Sequence, residues 1–282
     1  MKLSRLDRRD FIESMLLLGL GACAGPRTAA RALRAAPSGD PALGPLFRDV
    51  ADLTDQLARH RITAHDHARR VGAHLLELEL EDDVLADWAR QGPDDPGVGR
   101  NGTRILHRRK LALDGGLGEV MAILFYTPEG VSNPPHEHHN LISIKRVLKG
   151  SYHVRQYERV RRVEPGVIAI RQVSELFDVS SDGPCVDMTD DRLNVHWFGA
   201  AGREPVLALN IVAVAPLAPA ATFHGAREPR PPGQYYLDPT AAANPDGVIL
   251  ARSISRDEAE QFARLPLAAF PSRLAQPRQE PR

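Results

Sequence analysis

The chain has 282 residues, of which 43% are hydrophobic and 26% charged, a globular composition with room for one ordinary domain plus extensions. Lys plus Arg and Asp plus Glu balance at 36 each, so the basic footprint of a nucleic-acid binder is missing and a small-molecule partner is expected. Aromatic residues are only 5%, so the core has to rest on Val, Leu, Ile and Ala.

Residues 1–36 read as an address and not as fold. Arg5, Arg8 and Arg9 precede the apolar run from Met15 to Ala22. That run is shorter than the about 20 residues a membrane span needs and suits the core of a signal peptide. The stretch Asp7-Arg8-Arg9-Asp10-Phe11-Ile12-Glu13 resembles the twin-arginine export signal, which implies the twin-arginine machinery as a partner and a periplasmic location. Two exits are open. Leu20-Gly21-Ala22-Cys23 matches a lipobox, which would place a lipid anchor on Cys23, and Ala22-Cys23-Ala24 fits the small-x-small rule of ordinary cleavage. Once Cys23 is removed or lipidated, Cys185 is the one free thiol, so the fold closes without a disulfide.

A helical segment is expected over 45–92. Leu46, Phe47, Val50, Leu53 and Leu57 recur at helical spacing, and Thr63 with Asp66 caps a helix carrying Val71, Leu75 and Leu78. Val84, Leu85 and Trp88 form a shorter stripe that stops at the Gly92 to Gly97 turn cluster. His60, His65, His67 and His74 fall among many charges here, where a solvated face accounts for them.

The period then changes from helix to strand. Runs at Thr103–Arg108, Glu119–Tyr126, Leu141–Leu148, Tyr152–Tyr157, Val167–Ile170, Asn194–Phe198 and Val206–Ala215 are separated by Gly and Pro turns. Several short strands so spaced predict a mainly β fold, a small barrel over 100–217. Residues 218–282 form a Pro-rich extension in which Ser255-Arg256-Asp257-Glu258 opens one C-terminal helix with a capping box.

The segment that carries chemistry is Pro134-Pro135-His136-Glu137-His138-His139-Asn140. Alternate side chains of a strand share a face, so His136 and His138 point the same way and Glu137 and His139 oppositely. Two imidazoles on one face can hold a single divalent metal at about 2.0–2.1 Å per nitrogen. A third ligand has to come from another strand, with His196 the first choice and His153 the alternative.

His136, His138 and Gly150 resemble the first motif of the cupin superfamily: His-x-His, a glutamate further on, then a glycine. The position of the glutamate is held by Ser143. The resemblance implies a jelly-roll-like cupin barrel, and His196 stands where the second cupin motif places its histidine. A cupin site with three histidines and no carboxylate is similar to the cysteine dioxygenase-like, thiol dioxygenase branch. That branch implies Fe(II), with O2 and a small thiol as substrates and a sulfinate as product; Mn, Ni or Zn are the other metals to be weighed.

In that branch an arginine near the barrel mouth holds the substrate carboxylate, and Arg108 or Arg109 matches it by position. The branch's active-site tyrosine is replaced by Val212, and no cysteine lies near Ser143 to form a crosslink. A hydroxyl would then come from Tyr126, Tyr152, Tyr157, Tyr235 or Tyr236, with Tyr157 standing as the candidate. The alternative to an enzyme is a non-catalytic periplasmic cupin that binds a metal or ligand.

Overall fold

The structure is a computed structural model that describes residues 44–78, 103–112, 119–139, 141–183, 185–188, 195–214, 233–238, 240–270 and 272. The leader with Cys23, the Val84–Trp88 stripe and most of the Pro-rich arm lie outside the described residues.

Two helices open the described chain. Helix α1 (Gly44–Ala58) carries its apolar positions at helical spacing, with Val50, Leu53 and Leu57 buried. Helix α2 (Ala64–Glu77) starts at Thr63, whose hydroxyl accepts from the Asp66 amide. Arg146 donates to the carbonyls of Leu75 and Leu78, the first of which also accepts from the Leu78 amide, at the end of α2, where the last carbonyls lack the full set of intrahelical partners.

Eleven strands follow: β1 (Arg104–Ala112), β2 (Glu119–Thr127), β3 (Ser132–His139), β4 (Leu141–Lys149), β5 (Tyr152–Glu164) and β6 (Val167–Val179), then β7 (Val186–Met188), β8 (Val195–Ala200), β9 (Val206–Val214), β10 (Gly233–Tyr236) and β11 (Val248–Arg252). They form a five-stranded sheet ordered β1-β2-β9-β4-β7 and a six-stranded sheet ordered β10-β3-β8-β5-β6-β11. From β2 to β9 the chain changes sheet at every step except the β5–β6 hairpin. That is the winding of a double-stranded β-helix, and the expected mainly β, cupin-type barrel with helices before and after it is what the chain forms.

Each sheet is covered on its outer face. Leu46, Val50, Leu53, Val71 and Leu75 of the helices pack on Val120, Ala122, Leu124, Ile142, Ile144, Leu209 and Ile211 of the first sheet. The second sheet turns Tyr157, Ile168, Ile170 and Trp197 towards Leu237, Leu267 and Phe270 of the C-terminal segment. The inner faces meet through Met121, Ile123, Leu141 and Val212 at one end and Val147, Tyr152, Val154, Phe198 and Ala208 at the other. Helix α3 (Arg256–Ala263) begins with the expected capping box, both of whose reciprocal bonds form at Ser255 and Glu258.

Three expectations need correcting. The sheet runs past the 217 boundary, because β10 and β11 both lie in 218–282 and add the two edge strands of the six-stranded sheet. The runs at 152 and 167 extend well beyond their alternating starts, to Glu164 and Val179, with register shifts that absorb the irregular pattern. His67 does not sit on a solvated face. It is fully buried, 3.0 Å from the Thr54 hydroxyl, because the helix turn that carries it faces α1.

Gly150 closes the tight link between β4 and β5 at φ +74, where an added Cβ would meet the Pro205 carbonyl oxygen. Both the left-handed backbone and the close approach require glycine there.

Burial pushes the His67 imidazole down from an ordinary 6.5 to about 4. The unfolded chain therefore takes up a proton that the folded one refuses, and the folded state loses stability as pH falls from about 6.5 to 4. His67→Gln should flatten the pH dependence of the urea-unfolding free energy in that window by up to about 1.4 kcal/mol per pH unit relative to the parent protein. Parallel slopes for the two proteins would show that His67 is protonated inside the fold.

Candidate metal centre

The register places the centre. In the β3–β8 pair His136 stands directly opposite His196, and residues so paired share a face of the sheet. His138, two residues on, lies on that same inner face. Pro134 and Pro135 sit at the register shift between Asn133 and His136, where the missing amide donors cost the ladder little.

The three rings converge. His136 Nε2 and His196 Nε2 are 2.6 Å apart, and His138 Nε2 and His196 Nε2 3.4 Å apart. The three residues are buried, and one ligand nitrogen from each lies within 4.8 Å of the others. His136 Nδ1–H donates to the Pro134 carbonyl at 2.7 Å, which fixes the tautomer and leaves the Nε2 lone pair aimed inward.

Protonation is disfavoured at all three. Burial, with the neighbouring positive charge of His138, holds His136 well below its ordinary range. Burial and the other two histidines do the same to His196, and burial lowers His138 to about 3. Lys145 adds to the effect in each case. His136, its Nδ1–H given to Pro134, offers an Nε2 lone pair there, and the neutral rings of His138 and His196 bring their Nε2 atoms to the same buried spot. This donor set fits a divalent metal, with nitrogens that would stand about 2.0–2.1 Å from an ion such as zinc.

The fourth position of the motif does not contribute a carboxylate. Ser143 Oγ donates to Asn210 Oδ1 at 2.9 Å, with both side chains buried. Glu137 belongs to the opposite face, 3.7 Å from Arg159.

His153, the alternative third ligand, does not join the cluster. Its Nε2 is 2.8 Å from Glu175 Oε1 and its ring stacks on Phe177 at 4.5 Å. The reason is parity: Gln156 is the residue opposite His196, and His153 is an odd number of residues away on β5. Tyr157 is displaced by the same parity. It packs with Trp197 and Ile170 on the outer face, away from the histidines, and the hydroxyl role expected of it is withdrawn. The tyrosine beside the cluster is Tyr236 of β10, opposite His136 in the register and 5.9 Å from it between ring centres.

Arg108 and Arg109 take different registers on β1. Arg108 is half-buried opposite Ile123, in the row that continues through Asn210 to Lys145 on the inner face. Arg109 stands opposite Ala122, whose side chain belongs to the helix-facing core. The placement leaves Arg108 as the arginine of the inner row.

Lys145 was not anticipated. The Leu141–Leu148 run reads as aliphatic, yet its alternation sends Leu141, Ser143, Lys145 and Val147 inward. A lysine in phase with the serine of the motif was the available signal.

No family model matches the chain, and no curated protein matches it. Among solved structures, a protein with a double-stranded β-helix domain from Klebsiella pneumoniae is 16% identical, over 35% of this chain and 66% of that one, with a TM-score of 0.24. Vicilin from Solanum melongena is 11% identical over 43% and 31%, with a TM-score of 0.31. Oxalate decarboxylase from Bacillus subtilis, a protein with Mn(II) centres, is 13% identical over 46% and 30%, with a TM-score of 0.30. The chain thus spans about a third of the vicilin and decarboxylase chains. At these scores the matches carry no argument, and the cupin-type winding rests on the strand order itself.

His136→Ala and His196→Ala should each abolish stoichiometric metal in protein purified without added metal, as measured by plasma mass spectrometry. His153→Ala should keep it. Equal metal in the His196 and His153 variants would place the third ligand elsewhere.

Proposed function

We propose that the chain is an Fe(II)-dependent dioxygenase that converts a small thiol to its sulfinate. The observation that carries this reading is the donor set: three neutral imidazoles, with the serine of the fourth position turned to Asn210. Neutral ligands leave the whole +2 charge of the ion uncompensated and several coordination positions open, which favours an anionic ligand such as a thiolate beside dioxygen.

Iron held there would supply the redox chemistry, and the balance is RSH + O2 → RSO2H, with both oxygen atoms going to sulfur. The protein's part is positional. The Pro134 carbonyl holds His136 in the metal-binding tautomer. Met121, Ile123, Leu141 and Val212 keep the inner face apolar, and Phe198 packs its ring 5.0 Å from that of His196. Tyr236 brings a phenol to the edge of the cluster from the neighbouring strand.

Protein loaded anaerobically with Fe(II) should consume oxygen on addition of cysteine or 3-mercaptopropionate, and the product should gain two oxygen atoms by mass spectrometry. Stoichiometric metal with no turnover of any thiol would favour the non-catalytic metal- or ligand-binding cupin instead.

We also propose that the chain is exported by the twin-arginine route, on the strength of Arg8-Arg9 with Phe11-Ile12 ahead of the apolar run. Arg8→Lys combined with Arg9→Lys should leave the protein in the cytoplasmic fraction with its leader attached. Normal release of the double variant into the periplasm would refute the route while leaving the site untouched.

A further inference from the structure

The outer face of the six-stranded sheet borders a cavity of about 230 Å³ that the metal centre does not use. Its floor is made by Trp197, Tyr157, Ile170 and Ile249, side chains of four neighbouring strands. Its roof is made by Leu237, Asp238 and Phe270 of the C-terminal segment. Trp197 follows His196 in β8, so the two side chains leave opposite faces of the strand. The sheet itself separates the cavity from the histidines.

Folded interiors leave few voids larger than a water molecule, so a space of this size needs walls that cannot move in. Here the roof is pinned at three points. The Leu237 amide donates to the Pro135 carbonyl at 2.8 Å, and the Asp238 amide to the Arg252 carbonyl at 2.8 Å. Arg155 Nη2 donates to the Phe270 carbonyl at 2.8 Å. The cavity is therefore preformed, as ligand sites commonly are.

The charged groups of its wall are already neutralised from outside it. Arg155 Nε is 2.8 Å from Glu175 Oε1, and Asp238 Oδ2 is 3.5 Å from Arg252. An ionic guest would give up its water for groups whose charge is spoken for, which is costly. A neutral guest is not penalised in this way. Three rings line the space, Tyr157, Trp197 and Phe270, the last two 4.5 Å apart between centres at a tilt of 58°. Walls of this kind take a further ring edge-on or offset. An apolar cavity of about 150 Å³ is enough for benzene, so this one has room for one ring with a short substituent. One end is polar. Asp238 Oδ1 accepts from the Thr240 amide at 2.9 Å and from its hydroxyl at 2.6 Å, and a carboxylate has about four acceptor sites. Thr240 is exposed, which puts this end of the cavity next to solvent.

We propose that this cavity is a second ligand site, which binds a neutral single-ring aromatic molecule carrying a hydroxyl or N–H group. The ring lies among Trp197, Tyr157 and Phe270, and its donor bonds the Asp238 carboxylate. The site is independent of the thiol reading and needs no metal.

The test is calorimetric titration of the full chain at neutral pH with phenol, benzoate and benzylamine. Phenol should bind saturably, about tenfold more tightly than either charged ring. Absence of saturable phenol binding would overturn the proposal, as would benzoate or benzylamine bound as tightly as phenol. His136→Ala should bind phenol like the parent protein, and loss of binding there would overturn the proposal by placing the phenol at the metal centre. Ile249→Trp should fill the cavity and abolish phenol binding at unchanged metal content. If that variant does not fold, Thr240→Trp at the exposed mouth takes its place, and phenol binding retained in the filled protein would refute the site. The chain has two tryptophans, so in Trp88→Phe protein Trp197 is the sole reporter and its emission should change in step with the heat. Heat without that change would put the phenol elsewhere and overturn the assignment.

Discussion

The site depends on a single pairing between strands. His136 and His196 are 60 residues apart in the chain, and only the β3–β8 register makes them neighbours. A slip of one residue in that register would turn one ring to the outer face, where Trp197 and Val195 now sit among Leu237 and Ile249. The apolar outer residues therefore enforce the geometry of the inner polar ones. Burial then does the rest of the chemistry, because imidazoles that cannot be protonated at neutral pH are ready ligands.

A barrel interior that is apolar at both ends and polar across its middle is a costly arrangement. Ser143 and Asn210 satisfy each other, Thr127 and Tyr152 are 2.7 Å apart through their hydroxyls, and Ser174 donates to Gln156. Buried groups without such partners cost stability, and among the described residues they occur at scattered places, Thr103 and Ser253 among them. His196 Nδ1, for one, is buried without a hydrogen bond.

Much of this was legible in the residues. The His-x-His spacing put His136 and His138 on one face of a strand, and the glycine at 150 marked where the following strand, β4, turns. Thr63 and Ser255 announced their helices by capping chemistry that depends on neighbours three residues away. What failed were the relations that strands alone cannot state. Parity on β5 could not tell whether Gln156 or His153 faces inward, because both sets contain polar residues; the register with β8 decides it. His67 looked solvated because its own helix is charged, while the partner that buries it lies on α1. Lys145 was hidden inside a run whose other members are what an ordinary core would use. The strands β10 and β11 were missed for want of length, since four and five residues after a proline-rich stretch give little period to read.

Those late strands have a consequence for how the molecule comes into being. Without β10, the histidine strand β3 would itself be the edge of its sheet, with unpaired backbone groups along the segment that carries His136 and His138. A nascent chain thus holds His136 and His138 on an open border until residues 233–236 have been made and have paired with β3. During synthesis, the border strand is sealed from its far side only by residues in the last fifth of the polypeptide.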